Sequence, residues 1–416
     1  MKIDQRNAAE SLQANPTVRA LAAACTKHNI KGHLVGGAVR DFLLQRPEPK
    51  DFDVYLEAPP KSLAVVSGEY RTLAQSEQHS NARPAQNLDF FTTRDIEIST
   101  GFADFTINSI SFDLAESKIV DRWAGIPDLE SKTLRITHLP YFFIGRPFFR
   151  LFRFAHELGF RYTAETLALL SKHRYMLSGC PAQTRARAMN DLMTALSAHE
   201  PLFLEELMRS RLLENFIPQL TPLSVLEASN SNGTSRLEQN FCAAIGVTKV
   251  VASLPKEKQE LILRYRREEI HTESGKFSCA FNLLSHVKLA LLLSGCAEGL
   301  LGIDEVLPEK MRSEEAHIVY QRRLLQEIAS SVEADPRMSH AVLATMHLLE
   351  SIRSINRPDF NATRPPRGPN MMHTCAAVAL QSQRTSASTK ILASARELEA
   401  FLASPLNQNL QAGGLP

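Results

Sequence analysis

The chain has 416 residues and nearly balanced charge, 47 basic against 45 acidic for a net +2. It is too long for one ordinary core, and it lacks the overall basic field of a general nucleic-acid binder, so any such site must be a local patch. Its six cysteines include no CxxC pair, which argues against a disulfide framework or a zinc site and fits a reducing, cytoplasmic setting.

The opening MKIDQRNAAE lacks the basic-then-apolar layout of a secretory signal, and no apolar run reaches the roughly 18 residues of a membrane span. In chain order, residues 6–29 read as a helix with a break near Asn15-Pro16, because Leu12, Val18, Leu21 and Ala22 recur at helical spacing. A short apolar run, Leu34-Val35, then meets Gly36-Gly37 and a helix-favouring stretch with Arg40 and Asp41. The breaker segment RPEPK (46–50) precedes a new apolar run that opens with Asp51 and Asp53. Residues 54–56, 88–91, 105–112 and 119–120 read as strands; Phe105, Ile107, Ile110 and Phe112 alternate with a slip at Asn108. Residues 125–132 read as a short helix.

Beyond Pro140 the texture becomes leucine- and alanine-rich. Helices are expected over 147–159, 163–172, 183–198, 200–213, 256–266, 282–294, 313–333, 338–354 and 388–403. SNSNGTSR (229–236) reads as a joint, and 355–371 as a proline- and arginine-rich linker. Arg264, Arg266 and Arg267 read as a solvated helix face or an RNA-backbone contact. His156, His340 and His347 read as ordinary structural histidines. The resulting organisation is an N-terminal helix (1–32), a mixed α and β domain (33–138), a helical neck and body (139–228), a helical body and tail (237–354), and a linker with a C-terminal helix (355–416).

Asp51 and Asp53 alternate by two, so on a strand both carboxylates face the same way. Such a pair repels itself unless a cation lies between. Its hard oxygens suit Mg²⁺, which completes its shell with water and substrate phosphates. Paired ions of this kind activate an attacking hydroxyl and stabilise a departing pyrophosphate. Alone, an Asp-x-Asp is more often a solvated strand end; its place just after a strand–Gly-Gly–helix unit reverses this in favour of the metal reading. Gly36 and Gly37, without Cβ atoms, let backbone N–H groups approach a phosphate, or they simply make a tight turn. Arg40 is placed to touch a phosphate or a carboxylate, and Asp41 to orient its neighbours.

VGGAVRD (35–41) followed by DFDV (51–54) resembles the head-domain signature of the class II CCA-adding enzymes and bacterial poly(A) polymerases. NLDFFTTR (87–94), ADFTINSISFD (103–113), IVDRWAGIPDLESKTLR (119–135) and RLFRFAHELGF (150–160) are similar to further motifs of that family, in its order. The resemblance implies an α+β fold, in which a polymerase-β-like nucleotidyltransferase head with a small mixed sheet is followed by an all-helical neck, body and tail. It implies template-independent addition of nucleotides (CCA or A) from NTP to an RNA 3′ end, above all tRNA. ATP and CTP are the nucleotides to consider. Asp51, Asp53 and Asp89 take the catalytic, Mg²⁺-binding places. Gly36, Gly37, Arg40, Arg94, Asp104, Asn108, Arg150 and Arg153 take nucleotide-binding places.

The chain also departs from the pattern. Phe102 and Ala103 stand where the family carries two arginines. A charge-assisted hydrogen bond contributes about 1.5–3 kcal/mol, so losing two weakens nucleotide binding by roughly two to four decades. Lys50, Arg83, Arg94, Arg146 and Arg150 are the cations available to compensate. In the neck, Phe143, Ile144 and Pro147 replace an acid–x–x–Arg element that reads the base edge, with Pro147 expected at the first helical position. Ala186-Arg187 replaces a Glu-Arg pair. Two alternatives therefore stand beside RNA extension: nucleotide transfer to a protein or small molecule, and a catalytically silent binding protein. Nothing in the sequence specifies an oligomeric state.

Overall fold

The structure, a computed structural model, describes residues 2–47, 49, 51–77, 87–137, 147–198, 202–225, 233–263, 266–272 and 275–293. Lys50, Arg83, Phe143, Ile144, Arg146, Arg264, His340, His347 and the segments expected beyond residue 293 lie outside these residues. The chain divides into two compact units: Met1–Pro147 with Glu157–Leu169, and Phe148–His156 with the residues from Leu170 onward.

The first unit opens with α1 (Gln5–Ala14) and α2 (Pro16–Lys27). The break between them is a helix start, because Asn15 accepts hydrogen bonds from the Thr17 and Val18 N–H groups while Pro16 occupies the first turn. There follow β1 (Gly32–Val35), α3 (Gly37–Leu43), β2 (Asp51–Glu57), α4 (Ser62–Glu77), β3 (Asn87–Thr93) and α5 (Ile96–Gly101). A 3₁₀ turn (Thr106–Asn108), β4 (Ser111–Asp113), β5 (Lys118–Val120), α6 (Gly125–Ser131) and β6 (Thr133–Leu134) complete the main body. The mixed five-stranded sheet has the order β3-β2-β1-β4-β5. β1 runs antiparallel to both β2 and β4, whereas β2 and β3 are parallel and joined by the α4 crossover.

In β2, Phe52, Val54 and Leu56 are buried while Asp51 and Asp53 are exposed, a period-two pattern that commits one face to the core. Phe90, in register with Val54, meets Tyr70 of α4 edge-on at 6.3 Å. Val66, Tyr70 and Ala74, four apart along α4, are all buried. The apolar face of β2 and β3 therefore looks toward α4, and the Asp-bearing face is the opposite one.

The strand expected over 105–112 is a 3₁₀ turn followed by β4, a correction with a local cause. The Asp104 carboxylate accepts from the Phe105 N–H and from Asn108 Nδ2, and the Thr106 N–H donates to the Arg135 carbonyl. Side chains thus compete with the ladder for the backbone. Phe105, Ile107, Ile110 and Phe112 are nonetheless all buried.

In the second unit, residues 148–156 of α7 (Pro147–Leu158) supply aromatic anchors. β7 (Arg161–Tyr162) and the start of α8 (Ala164–Lys172) belong to the first unit, where β7 pairs in parallel with β6. Pro147 opens α7, as expected of a residue without an N–H to donate. Then come α9 (Ala182–Leu196), α10 (Leu202–Ser210), α11 (Leu212–Phe216) and α12 (Thr221–Val225). α13 (Arg236–Ser253), α14 (Lys256–Leu263), β8 (Arg266–Thr272), β9 (Gly275–Phe281) and α15 (Leu283–Leu292) complete the described part. Phe149 packs on Phe216 and Phe152 on Phe203, each at 4.9 Å between centroids. The helix expected over 200–213 is divided at Arg211, whose φ is +53°. The helix expected over 256–266 ends at Leu263, and Arg266 and Arg267 lie on a β-hairpin strand, paired with Phe281 and Ala280. The carbonyls just past the end of α9 are met from α15 and its cap: Asn282 Nδ2 donates to Ser197 O at 3.1 Å, and the buried Lys288 ammonium donates to Ala198 O. No helix among the described residues is long and apolar enough to cross a membrane.

Candidate functional site

The site is assembled where β1 ends. Gly36 has φ +76° and ψ −138°, a conformation that a side chain strains, and a Cβ there would lie 3.4 Å from Asp53 Oδ2. Val35 pairs with Asp53 across the antiparallel β1–β2 ladder, and Asp53 pairs with Asp89 across the parallel β2–β3 ladder. Residues in register share a sheet face, so Asp53 and Asp89 stand side by side, with Asp51 two residues back on the same face. All three are exposed.

Among the described residues, no group of three or more His, Cys, Asp or Glu side chains is arranged to hold a metal ion. Mg²⁺ is commonly held by one or two carboxylates plus water and substrate phosphates, and the Asp53–Asp89 neighbours beside an unobstructed glycine turn offer such oxygens.

Beneath the turn runs a buried polar chain. Arg40, 8 % exposed, donates through Nε to Asp41 Oδ1 at 2.9 Å and through Nη1 to Asn108 Oδ1 at 2.8 Å. Asn108 Nδ2 in turn donates to Asp104 Oδ1 at 2.8 Å. The Arg40 guanidinium also underlies Gly37, with Nη2 3.5 Å from the position of a Cβ there. Arg40, Asp104 and Asn108 are thus brought together as the support of the glycine turn. Arg94 follows β3 and is exposed.

The block 119–135 fastens this support. Asp121 accepts from the Gly125 and Ile126 N–H groups at 2.8 Å each, starting α6. A Cβ on Gly125 would lie 2.3 Å from the Thr106 carbonyl oxygen, so only glycine lets α6 meet the 3₁₀ turn. Buried Asp128 accepts from Thr106 Oγ1 and from Arg135, each at 2.5 Å. The sequence motif is here a set of caps and close approaches, a role that spacing alone did not reveal.

Arg150 and Arg153 belong to the second unit. Their guanidinium carbons lie 5.1 and 4.9 Å from the centre of the Phe154 ring, and Arg153 pairs with the Asp191 carboxylate at 2.7 Å. Ala186 is buried and Arg187 exposed; Phe102, at one of the two departures in the head, is exposed. Sequence reasoning also missed an aromatic pair. Tyr55 and Phe91, in register, stack at 5.2 Å on the face that carries Asp53 and Asp89. The signal was there in the alternation Asp51, Asp53, Tyr55 and Asp89, Phe91.

Residues 32–101 match the family described as the poly A polymerase head domain. The chain is 32 % identical over 226 residues to the multifunctional CCA protein of Stenotrophomonas maltophilia (strain R551-3), covering 47 % of this chain and 53 % of that protein. It is 23 % identical over 239 residues to the CCA-adding enzyme of Bacillus pumilus (strain SAFR-032), covering 52 % and 55 %. The chain thus spans about half the length of the curated relatives it matches. A solved structure of a CCA-adding enzyme in complex with CTP is similar in fold, with a TM-score of 0.54 at 15 % identity over 100 % of this chain and 91 % of that one. The α+β architecture, a polymerase-β-like head with a helical body, agrees with that likeness. In its motifs, residues 32–101 are thus similar to the poly A polymerase head domain, and the chain as a whole is similar to CCA-adding proteins over about half of its length.

Proposed function

We propose that this protein is a template-independent nucleotidyltransferase that extends an RNA 3′ end from nucleoside triphosphates. The observation that carries the reading is the register of Asp53 and Asp89 on one open sheet face, with Asp51 beside them and Gly36 against Asp53. Asp53 and Asp89 are the pair that would hold Mg²⁺, with Asp51, two residues back on the same face, proposed as a further oxygen donor to the ion or its water shell. When bound, the ion favours ionisation of the attacking hydroxyl and offsets charge on the departing pyrophosphate. The RNA 3′-hydroxyl oxygen forms a bond to the α-phosphorus, the bond from that phosphorus to the bridging oxygen breaks, pyrophosphate leaves and the hydroxyl proton passes to solvent.

The chain's own contribution is placement. Gly36 and Gly37 leave the turn bare, so a phosphate can approach the backbone beside Asp53. Asp41 and Asn108, the latter itself held by Asp104, fix Arg40 in place under that turn and so brace it. The residues from 139 on supply the RNA platform in this reading, since the relatives it matches include CCA-adding enzymes. ATP and CTP are the nucleotides proposed, and tRNA is the proposed acceptor.

A second reading has its own support. Phe102 and Ala103 replace two nucleotide-gripping cations, and Arg153 is engaged by Asp191. A protein so altered would keep the fold and bind nucleotide or RNA without turnover. The two readings separate in a 3′-extension assay with Mg²⁺ and each labelled triphosphate, offered tRNA lacking CCA, tRNA ending in CC, and an unstructured RNA. Addition confined to tRNA supports a tRNA nucleotidyltransferase; A added to any RNA supports a poly(A)-type enzyme. RNA or nucleotide binding with no incorporation supports the silent protein.

A further inference from the structure

The open face of β2 and β3 carries more than carboxylates. One step along from the Asp53–Asp89 pair, the register brings Tyr55 beside Phe91, and their rings stack at 5.2 Å with 28° between planes. Phe91 is 42 % exposed, on the edge strand of the sheet. The same row continues inward to His33 on β1, which is buried. The opening is therefore confined to the β2–β3 margin, beside Asp89. A single exposed apolar side chain on a protein surface is ordinary. A stacked aromatic pair in register with the carboxylates is a surface of defined shape, and a nucleobase is the flat π-face that matches it.

Direction follows from the strand order. The glycine turn lies on the β1 side of Asp53, while Asp89 and Phe91 lie on the β3 edge and Tyr55 one step along β2 beside Phe91. In a phosphoryl displacement the attacking and leaving oxygens stand roughly in line on opposite sides of phosphorus. A triphosphate leaning on the glycine turn sends its pyrophosphate to the β1 side and leaves the β3 side to the attacking hydroxyl. Two residues along a strand span about 6.8 Å, a step short enough for a base to rest on the rings while its sugar hydroxyl reaches the carboxylates.

We propose that Tyr55 and Phe91 form a stacking platform for the base of the acceptor RNA's 3′-terminal nucleotide. Stacking is tolerant of base identity, so the platform would accept successive 3′ ends as the RNA grows, as repeated addition requires. The inference rests on the nucleotidyltransferase reading given above.

The test uses the full chain with Phe91→Ala, Phe91→Leu and Phe91→Trp, and reads the KM for acceptor RNA separately from the KM for nucleotide. Far-UV circular dichroism melting checks that each variant folds, and Phe91→Leu keeps apolar bulk should alanine compromise the sheet. Phe91→Ala and Phe91→Leu should raise the acceptor KM about tenfold to a hundredfold, the scale of one lost base stack, with the nucleotide KM unchanged. Phe91→Trp should restore the acceptor KM. An unchanged acceptor KM in folded Phe91→Leu, or a rise in nucleotide KM alone, overturns the platform while leaving the transferase reading intact. Wild-type protein that extends no RNA overturns both.

Discussion

Replacing Asn108 with alanine should destabilise the first unit by about 3 kcal/mol. The side chain joins two charged groups, accepting from Arg40 Nη1 and donating to Asp104 Oδ1, each at 2.8 Å and each buried. Hydrogen bonds to charged groups contribute about 1.5–3 kcal/mol each, which brackets the loss at roughly 3–6 kcal/mol. Arg40 keeps Asp41, and Asp104 keeps the Phe105 N–H at 2.9 Å, so the lower end applies. Asn108→Asp should be no gentler: it restores an acceptor for Arg40 but sets a second carboxylate against Asp104. The assay is urea unfolding followed by tryptophan fluorescence. The chain has one tryptophan, and Trp123 lies in the first unit, its indole N–H directed at the Glu97 carbonyl at 3.4 Å. With a urea dependence of about 1–3 kcal/mol per molar, the midpoint should fall by about 1–3 M. A fall of less than about 0.3 M would refute the view that Asn108 braces the glycine turn.

Gly36→Ala should cost about 1–3 kcal/mol by the same assay, because φ +76° with ψ −138° is a glycine conformation. Gly37→Ala should cost less, since its Cβ would meet only the Arg40 guanidinium, at an ordinary 3.5 Å or more; equal costs would contradict this distinction. In the second unit, burial pushes the Lys288 ammonium down from 10.5 to about 7. The unfolded chain then holds a proton that the folded one lacks between about pH 7 and 10.5, so stability should rise with pH through that window and level off above it. A shift of that size is worth on the order of 4 kcal/mol near neutral pH, less the hydrogen bond to Ala198. Lys288→Met should raise the melting temperature at pH 7, with the advantage shrinking toward pH 10; a difference independent of pH would sink the assignment.

What the sequence disclosed was whatever is local and periodic. The Asp51–Asp53 alternation, the glycine turn and the Pro147 helix start all follow from the few residues around them. The support of the turn was not legible, because Arg40 and Asn108 are 68 residues apart and nothing in either position announces the other. Nor does the alternation of 105–112 disclose that Asp104 and Arg135 divert the backbone into a 3₁₀ turn. α13 was overlooked although its signal was present: Ser235 and Glu238 form a reciprocal capping box at the edge of the polar stretch SNSNGTSR. The β8–β9 hairpin hid in a stretch whose arginines suggested a helix face; its pairing depends on residues 275–281, which helical spacing before it could not foretell.

The most direct test compares wild type with Asp53→Ala and Asp89→Ala in Mg²⁺-dependent incorporation of labelled nucleotide at an RNA 3′ end. Trp123 fluorescence serves to establish that each variant is folded. Wild type should incorporate nucleotide and release pyrophosphate, and each folded variant should lose at least a hundredfold of that rate, about 2.7 kcal/mol of transition-state stabilisation. Incorporation that survives both substitutions would contradict the assignment of the chemistry to this face of the sheet.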